Sequence, residues 1–551
     1  MGLTDGFPVP LAVVTVFLLW SIGKLVAFFE DRRRYQKLPG PPHSLLFGHL
    51  ISVGKVAAKL PGRAHPHTLS AQLSREYDLP TVFYIDPRPF STVSLVIVDP
   101  DVARQVAEVD LPKHPILVDV LEPFMGRVNM LTTSGPLWKK WRSAFNPGFS
   151  VQNIVGQVPM MVDCCREFVR LLDEHSSADR VFRMEEEATK ITIDIIGKAI
   201  CGHDFGCLTT GSRFVEWLRA ALSWARDHQS LSPFHRYSLL RPIASKYYRR
   251  KMHAYVGKVL DDRFAQGSPK ASQAQKKKTV IDLALELYAK ENRGETDASA
   301  TTMDAEFRNA AIDNILVFLF AGHDTTSSTL CYCYKLLNEH PHTLAAARKE
   351  LDEVFGVDVS AADQLRENPF LVNKLDYLLA VIKEVLRLWS PGSTARLGRK
   401  DYFVRDPASG EMLPTEGVNV WIPSFALGRS KRIWGEDVDT FKPERFLPQN
   451  AAQVPAEAWR PFEKGPRNCI GQELSLIELK TVLALTLREF DVRAAFDELP
   501  LLSNDGSMWT KDSSFQRGPQ EVFGDPMYQV LLASAKPREG MPTRVKRRRA
   551  F

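Results

Sequence analysis

The sequence has few cysteines, and no two of the seven have the CxxC spacing of a zinc site. They are Cys164, Cys165, Cys201, Cys207, Cys331, Cys333 and Cys469. An odd number without regular spacing also excludes the disulfide framework that holds small secreted domains together. We therefore expect a protein of a reducing compartment, in which each cysteine is explained by its own surroundings.

The sequence also has little excess charge outside its last residues. The net charge is +6, but residues 536–551 contain seven Lys or Arg and one Glu, so the rest of the chain is balanced. A basic face for nucleic acid is therefore not predicted. The tail "RVKRRRAF", residues 544–551, could be a localisation or membrane-surface patch, but we interpret it as a solvated terminus.

No internal repeat and no second linker rich in Pro, Gly or Ser divides the chain, which predicts a single large domain. Helical periodicity dominates, with a minor β part, so the expected fold class is mainly α. The predicted helices include residues 151–174, 183–201, 212–228, 343–355 and 373–389, and β-like runs occur at 84–98 and 400–424. Residues 267–304 are predicted to be a polar surface connection that is interrupted by one amphipathic piece, "VIDLALELYAKE".

A long apolar run near the N-terminus predicts a membrane anchor. Residues 11–29 contain a single charge, Lys24, and in a helix they would extend roughly 28 Å, close to the thickness of a bilayer core. Four cations follow within residues 32–37, and residues 1–10 contain no Lys or Arg. We expect residues 1–31 to cross the membrane once and the remainder to face the cytosol. Residues 32–45, basic and proline-rich, are predicted to be a hinge, because the stretch "LPGPP" cannot continue a helix.

A second apolar stretch, residues 306–339, contains no proline and predicts a helix of roughly 50 Å. Its centre reads "AGHDTTSSTL", with Gly322 and Asp324 followed by five hydroxyl residues, 325–329. These residue types weaken a helix. The pattern indicates a functional groove there, and the alternative is a set of polar contacts between helices.

The stretch "FEKGPRNCIG" surrounds Cys469 with residues that suit a haem-ligating thiolate. Gly465 permits a tight turn with positive φ that aims N–H groups at the sulfur, and Gly471 leaves space beside a flat macrocycle. Arg467 can pair with a propionate, and Phe462 can shield the sulfur from water. We predict that Cys469 is the axial ligand of a haem iron. The alternative is an ordinary buried cysteine.

This stretch resembles the F-x-x-G-x-R-x-C-x-G pattern of cytochrome P450 monooxygenases at all five fixed positions. The resemblance implies the cytochrome P450 fold, with residues 46–551 as the haem domain, and haem b, O₂ and NADPH-derived electrons as cofactor and co-substrates. It also implies that Trp138 and Arg142 in "WKKWR", and Arg396 in "STARLGR", contact the haem propionates.

Two further motifs resemble the family. "EVLR" contributes Glu384 and Arg387, and "FKPERF" contributes Arg445, which together imply a buried network behind the haem. The sequence departs from many microsomal members at residues 427–429, which read "LGR" instead of "LHR". Without that histidine, haem retention is expected to depend on the arginines.

The weakened helix also fits the resemblance. "AGHDTT" is similar to the oxygen-activation segment of the family, which implies that Asp324 and Thr325 form an acid–alcohol pair delivering protons for O–O cleavage. Gly322 and the hydroxyl run are expected to let the helix open locally and admit oxygen. His323 is expected to be structural, because it points away from the groove if Thr325 faces it.

The resemblance favours a monooxygenase over three alternatives. A haem-thiolate isomerase or dehydratase that does not use O₂ often lacks the threonine, and Thr325 is present. A non-catalytic haem-binding protein would leave the groove unexplained, and a fatty-acid or xenobiotic hydroxylase stays open as another substrate class. The closing stretch resembles fungal microsomal members, which implies tailoring of secondary metabolites such as polyketides or terpenoids.

The chain contains no GxGxxG and no flavin-like segment, so its electrons must come from another protein. The expected partners are NADPH–cytochrome P450 reductase, with cytochrome b5 as a second donor, and the expected location is the endoplasmic reticulum membrane. Lys464 and Arg467 are expected to steer the reductase. Segments 115–130, 320–321 and 391–395, the last with Ser393 and Thr394, are expected to line an apolar pocket for a lipophilic small molecule.

Overall fold

The computed structural model describes residues 9–224, 238–266, 278–291, 303–503, 507–511, 518–532 and 534–548. The helices are α1 Val9–Gln36, α2 Leu50–Ala57, α3 Pro66–Glu76, α4 Pro100–Glu108, α5 Pro115–Met125, α6 Gly135–Phe145, α7 Val151–Val155, α8 Val158–Ser177, α9 Met184–Cys201, α10 Arg213–Ser223, α11 Leu240–Ala265, α12 Val280–Glu291, α13 Ala305–Glu339, α14 Pro341–Phe355, α15 Ala361–Glu367, α16 Asp376–Leu388, α17 Ser424–Gly428, α18 Lys431–Trp434, α19 Gln472–Thr486 and α20 Met508–Lys511.

The strands are short and form small sheets beside the helices. They are β1 Val82–Ile85, β2 Ser94–Ile97, β3 Phe182–Arg183, β4 Thr394–Leu397, β5 Phe403–Arg405, β6 Met412–Pro414, β7 Asn419–Ile422, β8 Phe490–Ala494, β9 Gln529–Leu532, β10 Ser534–Pro537 and β11 Pro542–Arg547. The largest sheet has the order β1-β2-β7-β4, with β2 and β7 parallel and the outer pairs antiparallel. The mainly α fold class with a minor β part is confirmed.

Helix α13, the central helix, organises the core. Asp304 caps its N-terminus by accepting a hydrogen bond of 2.8 Å from the Phe307 N–H. The helix packs along α9 and also contacts α11, α16, β8 and β10. A helix this apolar on all sides must be surrounded by protein, and residues 310–337 are buried except at three positions described below.

The elements predicted from periodicity agree with the structure except at breaks and ends. The amphipathic piece "VIDLALELYAKE" forms α12, and the predicted β run 84–98 is the hairpin of β1 and β2. The predicted helix 151–174 divides into α7 and α8 at residues 156–157. The end of the predicted helix 212–228 lies outside the described residues.

The interpretation of the tail "RVKRRRAF", residues 544–551, as a solvated terminus is wrong for residues 544–547. They belong to β11, which lies between β3 and β8 in a three-stranded sheet. Arg544 binds Glu498, and Lys536, which precedes this tail, is buried against carboxylates. These charges therefore belong to the folded body, and residues 549–551 lie outside the described part of the chain.

Helix α1 includes, in the described part of the chain, one stretch long and apolar enough to cross a membrane, Val13–Gln36. The helix continues beyond residue 31, and its end is tied to the globular body. Arg32 Nη1 lies 2.6 Å from Asp86 Oδ2, with both side chains fully buried, and Arg88 Nη2 binds the same oxygen at 2.8 Å. Gly48 has a positive φ, and a Cβ there would overlap Arg32, so only glycine fits beside this pair.

Candidate active site

Cys469 lies in a tight turn before helix α19. Its N–H donates a hydrogen bond of 2.8 Å to the Phe462 carbonyl, which closes the turn. Gly465 has φ +77°, and a Cβ there would lie 2.9 Å from the Ala107 carbonyl oxygen. Glycine is therefore required for both conformation and space. Cys469 is exposed, whereas the other six cysteines are buried.

The electrostatics of Cys469 suit a metal ligand. Although the residue is exposed, desolvation by the protein around the sulfur raises the thiol pKa, while a hydrogen bond from the Gly471 N–H and the charge of Arg142 act in the opposite direction. The nearest atom that a Cβ on Gly471 would meet is the Cys469 sulfur, at 3.9 Å. A bound metal ion deprotonates a coordinating thiol, and the adjacent helix N-terminus favours the resulting negative charge.

The central helix presents a small accessible patch within its buried stretch. Of residues 310–337, only Ala321, Gly322 and Thr325 are partly exposed. Thr325 donates its hydroxyl proton to the Ala321 carbonyl at 3.0 Å, which turns the oxygen lone pairs of the hydroxyl away from the helix axis. The neighbouring Thr326 hydroxyl lies 3.2 Å from Ser475 of α19, so this turn of the central helix packs against the helix that follows Cys469.

The expected local opening of the central helix is not observed. The helix is α-helical without a break through residues 321–329. A Cβ on Gly322 would lie 2.6 Å from the Ile196 side chain, so this glycine allows close packing against α9. The hydroxyls of the run bond back to the helix or across to other elements, as Ser328 does to the Ala535 carbonyl at 2.8 Å. The alternative interpretation, polar contacts between elements, therefore accounts for part of the run.

Asp324 is buried and does not reach the surface. Its Oδ1 lies 3.0 Å from Lys536 Nζ, which also binds Glu185 Oε1 at 2.6 Å. His323 Nδ1 lies 2.7 Å from the Leu319 carbonyl, and burial lowers its pKa to about 4, which agrees with a neutral structural residue. Sequence reasoning missed Lys536 and Glu185, because neither lies near a motif.

Three cations crowd together on one side of the cysteine turn: Lys113, Arg396 and Arg467, here called the cation cluster. The Arg467 guanidinium stacks on the Trp138 ring, with 3.9 Å from Cζ to the ring centroid. Burial and the charge of Arg467 lower the pKa of Arg396 to about 10, and burial with the charges of Arg396 and Arg467 lowers the Lys113 pKa strongly.

The cation cluster fits an anionic ligand. Within the described residues, no group accepts a hydrogen bond from Nη1 of Arg396, although this side chain is buried. Buried donors and crowded like charges are stabilised by an anion with several oxygens, such as a carboxylate pair. Lys113 was missed by sequence reasoning, since a lone lysine before a helix carries no recognisable signal.

Arg142 has a different contact from the one predicted. Its two terminal nitrogens donate to Asn468, at 2.8 Å to the carbonyl oxygen and 2.7 Å to Oδ1. It therefore holds the residue before Cys469 in place. A direct contact of Arg142 with a propionate stays a prediction.

Glu384, Arg387 and Arg445 meet behind this region. Arg387 donates through Nε and Nη2 to the two Glu384 oxygens, each at 2.7 Å, and both side chains are fully buried. Arg445 Nε lies 3.5 Å from Glu384 Oε1. Arg387 Nη1 also donates to the Gly428 carbonyl at 2.6 Å. A Cβ on Gly428 would overlap the Arg387 carbonyl oxygen, which explains why this chain reads "LGR".

The comparisons with known proteins agree with this geometry. A family model described as Cytochrome P450 matches residues 38–516. This chain belongs to the cytochrome P450 family. It is similar to cytochrome P450 monooxygenase polC of Polytolypa hystricis, with 34% identity over 97% of this chain and 94% of the relative. It is also similar to cytochrome P450 monooxygenase acrF of Aspergillus aculeatus, with 36% identity over 88% of this chain and 98% of the relative.

A solved structure supports the fold of this cytochrome P450. The haem domain of cytochrome P450DA superposes with a TM-score of 0.71 at 21% identity, covering 93% of this chain and 98% of that chain. The family model and the two fungal relatives confirm the resemblance stated from the sequence. Membership implies a haem iron cofactor, use of O₂ with a reductant, and a redox partner. Cys469 and the cation cluster are a donor set suited to the iron and the propionates of that haem.

Proposed function

We propose that this cytochrome P450 monooxygenase inserts one atom of O₂ into a hydrophobic small molecule, as a tailoring step in fungal polyketide or terpenoid biosynthesis. The observation that carries the proposal is that Cys469 is exposed and the otherwise buried central helix is accessible at Thr325, while Thr326 contacts the helix that follows Cys469. The named fungal relatives are monooxygenases, which supports the same reaction class.

The residues of the chain have separate tasks in this reaction, which consumes substrate, O₂, two electrons and two protons and yields hydroxylated product and water. Bound haem b would supply oxygen activation, held by Cys469 and by the cation cluster. Because the Thr325 proton is bonded to Ala321, its oxygen can accept a hydrogen bond from a water or a protonated group in the patch. Asp324, the preceding residue, would supply protons to that position.

The substrate is expected to be lipophilic, because apolar side chains line the approach to the patch. Phe124 of α5 and Phe320 of the central helix form an edge-to-face pair with 6.5 Å between ring centroids. Asn314 of the central helix fixes the loop that follows α5 by accepting a hydrogen bond of 3.1 Å from the Met130 N–H. Ser393, by contrast, already accepts a hydrogen bond of 3.0 Å from Trp421 Nε1, which reduces its value as an orienting hydroxyl.

NADPH–cytochrome P450 reductase is the proposed electron donor, with cytochrome b5 as a second donor. Lys464 remains a candidate docking residue, since its side chain is 40% exposed although it pairs with Glu457. Arg467 is buried against Trp138, so it is withdrawn as a docking residue. We place the protein in the endoplasmic reticulum membrane, with α1 as a single-pass anchor and the catalytic domain in the cytosol.

Oxygen dependence tests the proposal. Membranes containing the holoenzyme, a fungal reductase and NADPH are incubated with extracts of candidate metabolites under ¹⁸O₂. The expected result is a product that carries one ¹⁸O atom and forms only with NADPH. Product formation without O₂ or NADPH would instead identify an isomerase or dehydratase and would refute the monooxygenase.

A further inference from the structure

Asp324 needs a connection to solvent that it does not itself make. The residue is 2% exposed. One carboxylate oxygen, Oδ1, is bound by Lys536, while no described group forms a hydrogen bond with Oδ2. If Asp324 supplies protons beside Thr325, those protons must reach it through a neighbouring titratable group.

Lys536 is fixed against the turn of the central helix that carries Asp324. Its Nζ donates to the Asp324 carbonyl at 3.1 Å and to the Ser327 hydroxyl at 3.0 Å, in addition to both carboxylates. Strand β10, which carries Lys536, is held on the helix by the bond from Ser328 to Ala535. The ammonium therefore lies at one defined position, in direct contact with Asp324 of the acid–alcohol pair.

Glu185 extends this contact towards the surface. It lies at the start of α9, and its Oε1 accepts hydrogen bonds from Lys536 at 2.6 Å and from Thr189 at 2.9 Å. Burial would raise the pKa of Glu185, but the charges of Lys536 and Arg219 lower it to about 2. Arg219 is exposed on α10, which marks the side on which Glu185 and Lys536 approach solvent.

We propose that Lys536 is a positioning residue for oxygen reduction, which holds Asp324 beside Thr325 and, with Glu185, links it to solvent. We call Lys536, Asp324 and Glu185 the lysine triad. In each passage a proton moves from Lys536 to Asp324, which passes it on to the position beside Thr325, while a proton that Glu185 takes from solvent is passed to Lys536 and restores the ammonium, so each group returns to its starting charge. The proposal rests on the monooxygenase function proposed above. Two other titratable groups face the triad, His323 and the buried Cys331 thiol.

The chain offers a matched control. Lys335 of the central helix is also buried, and it binds Glu339 at 2.6 Å and Asp525 at 2.8 Å. It lies ten residues after Thr325, roughly 15 Å along the helix. Lys335→Met and Lys536→Met thus remove the same kind of buried ammonium from two carboxylates, but only Lys536 contacts Asp324.

The assay uses O₂ itself as the probe, because the organic substrate is unidentified. The holoenzyme, reductase and NADPH are mixed without substrate, and O₂ consumption and H₂O₂ release are measured; the remaining O₂ is reduced to water, which requires proton-dependent O–O cleavage. We expect the ratio of water to peroxide to fall about 10-fold in Lys536→Met. Lys335→Met should keep the wild-type ratio, and Lys536→Arg, which retains the charge, should recover most of it.

An infrared measurement provides a readout independent of turnover. Without the ammonium, two buried carboxylates cannot both stay charged, so one should bind a proton. Lys536→Met should therefore show a carboxylic-acid C=O stretch that is absent from the wild type. In Lys536→Met/Glu185→Gln this band should disappear if Glu185 held the proton, or shift if the proton is now on Asp324. That double variant restores the net charge that the triad has in the wild type, so it also serves if the single variant does not retain haem, and it should give the same low ratio.

Equal ratios in Lys536→Met and Lys335→Met, or no recovery in Lys536→Arg, would overturn the inference while leaving the monooxygenase intact. Unchanged ratios in both Lys536→Met and Thr325→Ala, with normal O₂ consumption, would reject the whole proton route. A wild-type holoenzyme that consumes no O₂ with reductase and NADPH would refute the proposed function and the inference together.

Discussion

Replacing Arg387 with lysine would show how much the buried ion pair behind the cysteine turn contributes to stability. The arginine makes two bonds of 2.7 Å to Glu384 and donates through Nη1 to the carbonyls of Gly428 and Val438 at 2.6 and 2.7 Å. Lysine keeps the positive charge but presents a compact ammonium instead of a planar fork. It can pair with Glu384 but cannot also reach both carbonyls.

The magnitude follows from these contacts. Each buried carbonyl that loses its donor costs about 1–3 kcal/mol, so the substitution should cost about 2–6 kcal/mol. Folded domains are stable by only about 5–15 kcal/mol, so this loss removes a large share of the margin. We expect Arg387→Lys to lower the ratio of holoenzyme to unfolded protein at least about 30-fold.

The assay is urea-induced loss of the haem absorbance, followed together with far-UV circular dichroism. The control is Arg104→Lys, because Arg104 pairs with Glu108 at 3.3 Å on the surface, with side chains 51% and 61% exposed. A pair of that kind contributes about 0–1 kcal/mol. If Arg387→Lys shifts the urea midpoint no further than Arg104→Lys does, the buried network has no structural importance and the reasoning fails.

Three further predictions follow from single contacts. Gly428→His, which restores the residue of many microsomal members, should reduce haem content, because its Cβ overlaps the Arg387 carbonyl; unchanged haem per protein would contradict the overlap. Arg88 and Arg32 lower the pKa of Asp86 despite its burial, so in unfolding measurements the advantage of wild type over Asp86→Asn should be full above about pH 5 and shrink as pH falls below about 4; a constant difference would argue against the ion pair. Thr325→Ala should divert electrons from NADPH to peroxide, measured as H₂O₂ per NADPH, and unchanged coupling would remove the hydroxyl from the mechanism.

The sequence allowed prediction of what depends on short-range patterns. The amphipathic piece "VIDLALELYAKE" is helix α12, because the spacing of apolar and polar residues over a few turns is a local property of the sequence. The turn at Cys469 was also expected, since the glycine at position 465 has a local conformational reason.

The remainder depends on partners that are distant in the chain. Lys536 lies near no motif that the sequence offers, yet it binds Asp324, which is 212 residues earlier. Likewise Gly322 looked like a helix weakener, but its role is set by Ile196 on another helix. Composition and periodicity report the local tendency of a segment, whereas pairing across hundreds of residues is decided by the tertiary fold.

The carbon monoxide spectrum of the reduced protein tests most directly whether Cys469 binds the haem iron. Cys469→Ala should lose the thiolate-type Soret band while its far-UV circular dichroism stays close to wild type, and Cys333→Ala, at a buried cysteine of the central helix, should keep the band. A normal thiolate-type band in Cys469→Ala, or a wild-type protein that stays colourless when haem is supplied, would contradict the assignment.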